Sequence, residues 1–385
     1  MQVVLDNGIN TYQVHGVSAT VVFSDNHIWT GVSGLSHDSV SIKPDMLFAV
    51  GSITKNIIAA LTLKLVEEEK LSLDDPISNW LPPYPYVDSR ITIRQLLNHT
   101  SGLYMFWENQ KIWDELKRDR KKFWSPEEVL QYIKEPYFLP GNGWRYSNTN
   151  YLLLAMILEK VTDSNLSNEL KKRFWKPLRL KNVYLSQEET IPSNQAHIYG
   201  DNFQFGSQTR DITFEPRTSH ESITYGSSGI FTTSKDLAIW SHALFEGKVL
   251  NEDLLNEMLT FVEFSPVGNM RAYGLGVEEF TKGFTLGKFG IGHGGGNIGT
   301  TTYMVYLPNY HVSIVVMINA FPNKGANVIT TGIIKEILLE SNEYGIPEFI
   351  LQYFDYYRFG YFALLAVVVW AIVIAYHVRK KMKRL

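Results

Sequence analysis

The chain has 385 residues, of which 45% are hydrophobic and 19% are charged, and it contains no cysteine. This composition excludes an intrinsically disordered chain, a disulfide-stabilised scaffold and any metal site that uses cysteine ligands. The 36 basic and 39 acidic residues give a formal net charge of −3, which argues against a nucleic-acid partner. The length predicts two domains, or one composite domain, with a sizeable core.

The first predicted element is a β-hairpin, in which β-branched and aromatic runs at 17–23 and 28–32 flank a turn at 24–26. A helix follows, because apolar residues recur at helical spacing from Ser52 to Lys70. Residues 71–215 carry mainly helical and loop patterns. We therefore expect a helical insertion over 71–215.

Ser125 and Glu128 in this insertion have the spacing of a capping box at a helix start. Strands predominate again after Thr224. The later predicted elements are helices at 234–247 and 327–340 and strands at 284–295, 301–308 and 311–319. The predicted architecture is a mostly antiparallel sheet with N- and C-terminal helices packed on it, formed by 1–70 and 216–345 and interrupted by the helical insertion.

Residues 359–378 contain no formally charged side chain, and their number matches the length that a bilayer core requires. Five cations follow within seven residues: Arg379, Lys380, Lys381, Lys383 and Arg384. We expect a linker at 346–358, a single transmembrane helix at 359–378 and a basic cytoplasmic tail at 379–385, with the body outside the cell membrane. A buried core helix is the alternative for the apolar stretch.

An exported body of this size normally follows an N-terminal signal. Residues 1–16 have neither a basic start nor an apolar run. Either the signal is missing from this sequence, which we favour, or the body is cytosolic and the basic tail departs from the usual rule.

Ser52 and Lys55 form an S-x-x-K pattern at the predicted start of a helix. Residues three apart share a helix face, so the lysine can lie within reach of the serine hydroxyl. A desolvated lysine with a lowered pKa can act as the base that a serine nucleophile needs, and N–H groups at the helix start can stabilise an oxyanion. The pattern alone is weak, because a helix-capping serine followed by a surface lysine has the same letters.

The surrounding sequence supports a catalytic interpretation of the S-x-x-K pattern. MLFAVGSITKNIIAALTLKLVEEEKLSLDDPISNWLP is followed in order by ITIRQLLNHTSGL, PGNGWRYSNTNYLLLAMILEKVT and GHGGGNIGTTTYMVYLP. Together these stretches resemble the serine β-lactamase-like family, nearest to class C β-lactamases and D-alanyl-D-alanine carboxypeptidases, over about residues 16–340. The resemblance implies an α/β (α+β) fold of the β-lactamase/transpeptidase type, with helices on a mostly antiparallel sheet and an inserted helical domain.

The resemblance also implies roles for individual residues. It assigns catalysis to Ser52 as the acylated nucleophile, Lys55 as its base partner, Tyr146 and His293, and substrate binding to Asn148, Gly295 and Gly296. We expect a partly ionised Tyr146 to relay protons, a neutral His293 to bond to Tyr146, and the N–H groups of Ser52 and Gly296 to hold the oxyanion. The alternatives are an ordinary core tyrosine at 146 and a helix N-cap at 148.

Gly294 departs from the carboxypeptidase pattern, which has a hydroxyl residue at this position. A donor for a substrate carboxylate is therefore missing. Arg210, Arg217 or Arg271 could replace it, although each is a surface arginine by default. The aromatic and basic stretch at 106–124 could cover the active-site cleft, or it could be an ordinary amphipathic helix with a solvated face.

The sequence predicts a membrane-anchored serine hydrolase that forms an acyl-Ser52 intermediate and acts on peptide or amide bonds of D-amino acids, as a carboxypeptidase or aminopeptidase. A carboxylesterase or β-lactamase is the alternative within the family, and a non-catalytic penicillin-binding sensor is the alternative of another class. The resemblance implies no metal or organic cofactor. The expected partners are a small-molecule or peptide substrate and the lipid bilayer, while the oligomeric state stays open.

Overall fold

The computed structural model describes residues 1–200, 210–321 and 324–341. The described strands are β1 Gly16–Val22, β2 Ile28–His37, β3 Val40–Ser41, β4 Phe48–Ala49, β5 Val183–Leu185, β6 Tyr199–Gly200, β7 Arg210–Asp211, β8 Ile230–Thr232, β9 Val262–Val267, β10 Met270–Tyr273, β11 Glu278–Phe280, β12 Ile291–Asn297, β13 Thr300–Leu307 and β14 Val312–Ile318. The described helices are α1 Gln2–Tyr12, α2 Thr54–Glu67, α3 Ile93–Leu97, α4 Gln110–Arg118, α5 Pro126–Leu130, α6 Asn148–Thr162, α7 Leu166–Leu170, α8 Thr218–Ile223, α9 Ser234–Phe245, α10 Glu252–Met258 and α11 Gly325–Glu340.

The chain divides into two compact units, Met1–Ile333 and Ile334–Leu385. The described part of the second unit consists of the last turns of α11 and Ser341. All the structure discussed below belongs to the first unit.

A nine-stranded sheet with the order β3-β2-β1-β14-β13-β12-β11-β10-β9 forms the centre of the first unit, and its strands pair antiparallel. The central strands β1 and β14 are buried at every position, because α9 covers one face. Strands covered on both faces read as nearly continuous apolar runs, as β14 does. The predicted fold, a mostly antiparallel sheet flanked by helices, is confirmed.

Most predicted elements appear close to their expected places. The hairpin is β1 and β2, the later strands are β13 and β14, and Ser125 and Glu128 form the predicted capping box at α5. The strand predicted at 284–295 begins only at Ile291, because Leu286 and Gly287 both have positive φ, which interrupts an extended strand. Strands β9 to β11 have no counterpart among the predicted elements.

The segment 71–215 contains α3 to α7, but it also contains strands β5 to β7. Strand β5 pairs with β8, which lies outside the segment, and its ends Val183 and Leu185 are buried. The segment predicted as a helical insertion thus contains short strands as well as helices. The predicted domain boundaries stay a prediction.

Helix α2 lies inside the core, with eleven of its fourteen residues buried. It packs against α6, which has ten buried residues. A helix that is buried on nearly all faces is apolar all round, so a charged residue on it needs a specific reason. Lys55 is such a residue.

The predicted linker, membrane span and basic tail lie outside the described residues. Within the ranges that the structure describes, no helix combines the length and apolar character needed to cross a bilayer.

Candidate active site

Ser52 lies in a short 3-10 turn, Gly51–Ile53, immediately before α2. Gly51 has a φ of +56°, and a Cβ at this position would lie 2.4 Å from the carbonyl oxygen of Gly296. A Cβ on Gly295 would likewise lie 2.0 Å from the carbonyl oxygen of Val50. The turn that holds Ser52 is thus packed directly against the backbone of β12, and this contact needs glycine on both sides.

Lys55 lies in the first turn of α2 and has no exposed surface. Its Nζ is 3.0 Å from Ser52 Oγ and 2.9 Å from the carbonyl oxygen of Ser227. Burial lowers the pKa of Lys55 well below its usual value, while the nearby carboxyl of Glu278 acts in the opposite direction. The alternative of a capping serine and a surface lysine is therefore wrong, since the N-cap of α2 is Ile53.

Tyr146 lies just before α6, and its phenol is hydrogen-bonded to the Ser52 hydroxyl. The Nζ of Lys55 is 4.9 Å from the centroid of its ring. Burial raises the pKa of Tyr146 well above 10, and the hydrogen bond with Ser52 only partly opposes this effect. The expectation of a partly ionised phenol is therefore wrong: a low-dielectric surrounding disfavours the phenolate, so the resting Tyr146 is a neutral phenol.

His293 lies on β12 and has no exposed surface. Its Nδ1 is 2.6 Å from the carbonyl oxygen of Gly294, and its Nε2 is 2.9 Å from the hydroxyl of Tyr273. Because a carbonyl can only accept, Nδ1 carries the proton and Nε2 accepts a hydrogen bond from Tyr273. Burial lowers the pKa of His293 to about 3, so the imidazole is neutral, as expected.

The expected bond between His293 and Tyr146 is wrong. The two ring centroids are 6.4 Å apart. The acceptor nitrogen of His293 is instead taken by Tyr273, whose ring makes an edge contact with Tyr146 at a centroid distance of 6.0 Å. Tyr273 therefore links the histidine to the tyrosine beside the nucleophile, a role that the sequence did not indicate.

Glu278 is a second group that the sequence analysis missed. It lies on β11, opposite Gly292 of β12, and its Oε1 is 3.2 Å from Nδ1 of His293. Its Oε2 accepts a 3.1 Å hydrogen bond from the backbone N–H of Gly294. Burial raises the pKa of Glu278 to about 8. An acidic residue in the short, mostly apolar stretch GLGVEEF could have indicated a functional role for Glu278. Its contact with His293 could not be predicted in the same way, because it depends on the register between two strands.

His99 is the third missed residue. It is fully buried, has a φ of +64°, and lies 4.3 Å from the ring of Tyr146 and 4.8 Å from that of Tyr273, measured between centroids. Its Nδ1 lies 3.3 Å from the backbone nitrogen of Ser147 and 2.8 Å from the amide nitrogen of Asn150. His99 thus contacts the backbone of Ser147 just before α6 and the side chain of Asn150 in its first turn, which helps to position Tyr146. Its stretch, LLNHTSGL, was one of those that carried the family resemblance.

The edge of β12 faces the Ser52 turn from His293 onward, because β11 pairs with β12 only at Ile291 and Gly292. The Gly294 N–H points to Glu278, away from β13. Backbone N–H groups two residues apart point to the same side of an antiparallel strand, so the Gly296 N–H points to this open edge as well. This direction agrees with its expected role as an oxyanion donor beside the N–H of Ser52.

Asn148 is the first residue of α6, and Ser147 occupies the N-cap position. The alternative of an N-cap role for Asn148 is therefore wrong. Its Oδ1 is buried and has no hydrogen-bond partner in the described part of the chain. A buried hydrogen-bond acceptor without a partner lowers the stability of the fold, so such an atom needs an explanation. A substrate N–H that donates to this oxygen would provide one.

The three candidate arginines are engaged by other side chains. Arg210 pairs with Glu215, Arg217 with Gln195 and Glu221, and Arg271 with Glu263 and Glu279. In the stretch 106–124, helix α4 buries Ile112 and Leu116 and exposes its charged face, which is the amphipathic alternative. Among the described residues, no cluster of three histidine or acidic side chains is arranged to hold a metal ion.

Comparisons with known proteins agree with this geometry. A penicillin-binding protein of Bacillus subtilis (strain 168) is 27% identical over 293 residues, which are 72% of this chain and 62% of that protein. The solved D-stereospecific amidohydrolase from Streptomyces sp. is 30% identical, with a TM-score of 0.74 over 85% of this chain and 96% of that one. The D-amino acid amidase from Ochrobactrum anthropi SV3 with D-phenylalanine is 26% identical, with a TM-score of 0.77 over 89% and 98%.

The chain spans between 50% and 62% of the length of the first curated relatives it matches. The sequence profile of the family described as Beta-lactamase matches residues 2–338, nearly all of the described chain. The resemblance inferred from the S-x-x-K, Y-x-N and H-x-G stretches is thereby confirmed, and the chain belongs to the β-lactamase family.

Proposed function

We propose that this protein is a serine hydrolase that forms an acyl-Ser52 intermediate and cleaves amide or ester bonds of D-amino acid derivatives. The observation that carries the proposal is the position of the Ser52 hydroxyl, which lies 3.0 Å from a fully buried lysine and is hydrogen-bonded to Tyr146. The substrate class is supported by two similar solved enzymes, whose names specify D-amino acid amides or D-stereospecific amide hydrolysis.

Acylation starts from the neutral amine of Lys55, whose lowered pKa makes it the available base. It takes the proton of Ser52 across the 3.0 Å contact, and Oγ forms a bond to the substrate carbonyl carbon. The N–H groups of Ser52 and Gly296 stabilise the tetrahedral oxyanion. The bond to the leaving group then breaks, and the leaving group takes a proton from the neutral phenol of Tyr146, which Lys55 replenishes.

Deacylation reverses these proton transfers. Water attacks the acyl carbon, its proton passes to the base, and the Ser52 hydroxyl is restored as the acid product leaves. The ammonium form of Lys55 is stabilised by the carbonyl oxygen of Ser227, 2.9 Å away, and by the carboxyl of Glu278. The buried Oδ1 of Asn148, which has no partner within the described residues, is the acceptor that we assign to an N–H of the substrate.

The test combines labelling and turnover. A fluorophosphonate should add one adduct, which mass spectrometry of peptides places on Ser52, and Ser52→Ala should abolish it. The unlabelled protein should hydrolyse D-phenylalaninamide faster than L-phenylalaninamide. Labelling that persists in the Ser52→Ala variant would overturn the assignment of Ser52 as the nucleophile. Faster turnover of a p-nitrophenyl ester or a cephalosporin would favour the esterase or β-lactamase alternative, and a stable adduct without any turnover would favour a penicillin-binding sensor.

We also propose that residues 359–378 anchor the protein in the cell membrane with its body outside. This proposal is supported by the uncharged stretch and by the five cations that follow it. The full chain should stay with membranes after alkaline carbonate extraction, whereas a chain ending at residue 345 should not. A protease added to intact cells should digest the body and spare the tail, and the reverse pattern would overturn the orientation.

A further inference from the structure

The position of Gly294 is bordered by a carboxyl group. A Cβ on Gly294 would lie 3.6 Å from Oε2 of Glu278 and 3.2 Å from the ring of Tyr303. The same Oε2 already accepts the Gly294 N–H at 3.1 Å. At this position the carboxypeptidase pattern has a hydroxyl residue, which can donate a hydrogen bond to a substrate carboxylate. This protein has a glycine there instead, and the neighbouring side chain is the acidic Glu278.

Glu278 lies near the residue that protonates the leaving group in the proposed mechanism. Tyr146 supplies the proton to the leaving group, and its ring lies 6.4 Å from that of His293. Glu278 is in turn 3.2 Å from Nδ1 of His293. Along β12, Gly294 is two residues from the oxyanion donor Gly296, which corresponds to about 7 Å. A leaving group that carries its charge three or four bonds from the carbonyl carbon extends along this edge towards Gly294.

The charged groups around Glu278 do not favour binding of a substrate carboxylate. Lys55 is the cation that acts on its carboxyl, and Lys55 is engaged by Ser52 and Ser227. The arginines at 210, 217 and 271 are held by other side chains. The carboxyl of Glu278 lies directly behind the backbone of Gly294, whose N–H it accepts, so its charge acts across this glycine on a group bound at the β12 edge.

We propose that Glu278 is a specificity-determining residue that disfavours substrates whose leaving group carries a carboxylate and favours those whose leaving group is neutral or cationic. This inference rests on the proposed hydrolase function. It makes removal of a C-terminal amino acid a poor reaction for this site. It favours amides and esters whose departing amine or alcohol has no acidic group.

The pKa of Glu278, raised by burial to about 8, adds a pH dependence. Below that pH the carboxyl is neutral and discriminates weakly; above it the carboxylate repels anions. The titratable groups that face Glu278 are Lys55, Tyr146, Tyr273, His293 and Tyr303. Burial raises the pKa of the tyrosines, lowers that of His293 to about 3 and lowers that of Lys55 well below its usual value.

The experiment compares three substrates with one acyl group: D-phenylalanyl-glycine, D-phenylalanyl-glycinamide and D-phenylalanyl-(2-aminoethyl)amide. Their leaving groups are anionic, neutral and cationic. At pH 8.5 the full chain should cleave the neutral and cationic substrates with a kcat/KM at least about tenfold above that of the anionic one. Glu278→Gln, which keeps the acceptor for Gly294, should reduce this ratio to about threefold or less. Glu279→Gln is the matched control, because Glu279 pairs with Arg271, and it should keep the wild-type ratio.

The Glu278→Gln variant could misfold, so the wild-type protein provides a second test that needs no substitution. In the wild-type protein, the ratio should fall as the pH is lowered from 8.5 to 6.5. A wild type that cleaves all three substrates equally, or the glycine substrate best, overturns the inference while leaving the hydrolase function intact. A ratio that Glu278→Gln leaves unchanged also overturns it. Failure to cleave any of the three, with no fluorophosphonate label on Ser52, overturns the proposed function itself.

Discussion

The side-chain amine of Lys55 lies 3.0 Å from the hydroxyl oxygen of Ser52, and none of the lysine surface is exposed. Burial favours the uncharged amine, and the carbonyl oxygen of Ser227 still offers a partner when a proton arrives. Tyr146 responds to burial in the opposite way and keeps its proton. The proposed mechanism therefore takes the lysine as the resting base and the tyrosine as the resting acid.

Replacement of Lys55 by arginine should lower kcat by about 10²- to 10⁴-fold, the range typical for loss of a general base. A guanidinium keeps the positive charge but does not lose its proton at any ordinary pH, so it cannot accept the proton of Ser52. The measurement is kcat for a D-amino acid amide, together with thermal unfolding to confirm a folded chain.

Lys64→Arg provides the control, because Lys64 lies on the same helix but is partly exposed and pairs with Glu67. Its kcat should stay within about twofold of wild type, since surface substitutions rarely have large effects. Activity of Lys55→Arg close to that of Lys64→Arg would contradict a base role for Lys55.

Replacement of Gly51 by alanine should lower kcat/KM by about 10²- to 10³-fold, as loss of an oxyanion donor does. The new Cβ would lie 2.4 Å from the carbonyl oxygen of Gly296, so the Ser52 turn and the β12 edge must move apart. Gly247→Ala is the matched control: its φ is +71°, similarly unfavourable for alanine, but nothing lies within 4 Å of the added Cβ.

Both variants should lose stability through the unfavourable φ, and Gly51→Ala should lose more because of its contact with Gly296, but only Gly51→Ala should lose activity. Kinetics with a D-amino acid amide and thermal unfolding separate the two effects. Equal activity in both variants would show that the close contact of Gly51 with Gly296 does not set the oxyanion site.

Local spacing was sufficient to predict which side chains start the chemistry. Ser52 and Lys55 are one helical turn apart, and strands β13 and β14 are rich in the β-branched, aromatic and other apolar residues by which single-sequence patterns reveal strands. The contact of Glu278 with His293 depends instead on the register between β11 and β12. Register is fixed by packing across the sheet, which a local pattern does not contain.

The ionisation of Tyr146 could not be predicted for a similar reason. Its proximity to Lys55 suggested an ionised phenol, but burial also lowers the pKa of that lysine, so the positive charge that would favour the phenolate is weakened. The partner of His293 was mistaken because Tyr273 lies on β10, a strand that the sequence pattern did not reveal. These errors share one cause, which is long-range packing around the site.

Acid should destabilise the protein between about pH 6.5 and pH 3. The pKa of His293 is about 3 in the folded chain because of burial, and about 6.5 when unfolded, so only the unfolded chain binds a proton in this window. The contribution of His293 is complete above pH 6.5 and is lost as the pH falls, with a slope of about 1.4 kcal/mol per pH unit for one such histidine. The raised pKa of Glu278 has the opposite effect between about pH 8 and its unfolded value of 4.5, and the comparison of variants cancels that effect. Buried His99 shifts in the same direction and adds to the slope.

Urea unfolding at pH 7, 6, 5 and 4 measures this slope. His293→Gln should reduce it by about one proton, or about 1.4 kcal/mol per pH unit, even if its stability at pH 7 is lower. His27→Gln is the control, because His27 lies in the exposed turn between β1 and β2. An unchanged slope in His293→Gln would show that the imidazole does take a proton in the folded chain.

Neutralising Glu278 should move the acid limb of the pH profile of kcat/KM to lower pH. This limb reports deprotonation of Lys55 in the free enzyme, and the Glu278 carboxylate, which forms as the pH passes its pKa of about 8, raises the pKa of Lys55 against the effect of burial. Glu278→Gln removes that charge, so Lys55 loses its proton more readily and the rate reaches its plateau at lower pH. The profile should be measured with D-phenylalaninamide and compared with that of Glu279→Gln, whose carboxyl pairs with Arg271 and should leave the limb in place. A shift to higher pH, or none at all, would mean that the carboxyl of Glu278 does not act on Lys55.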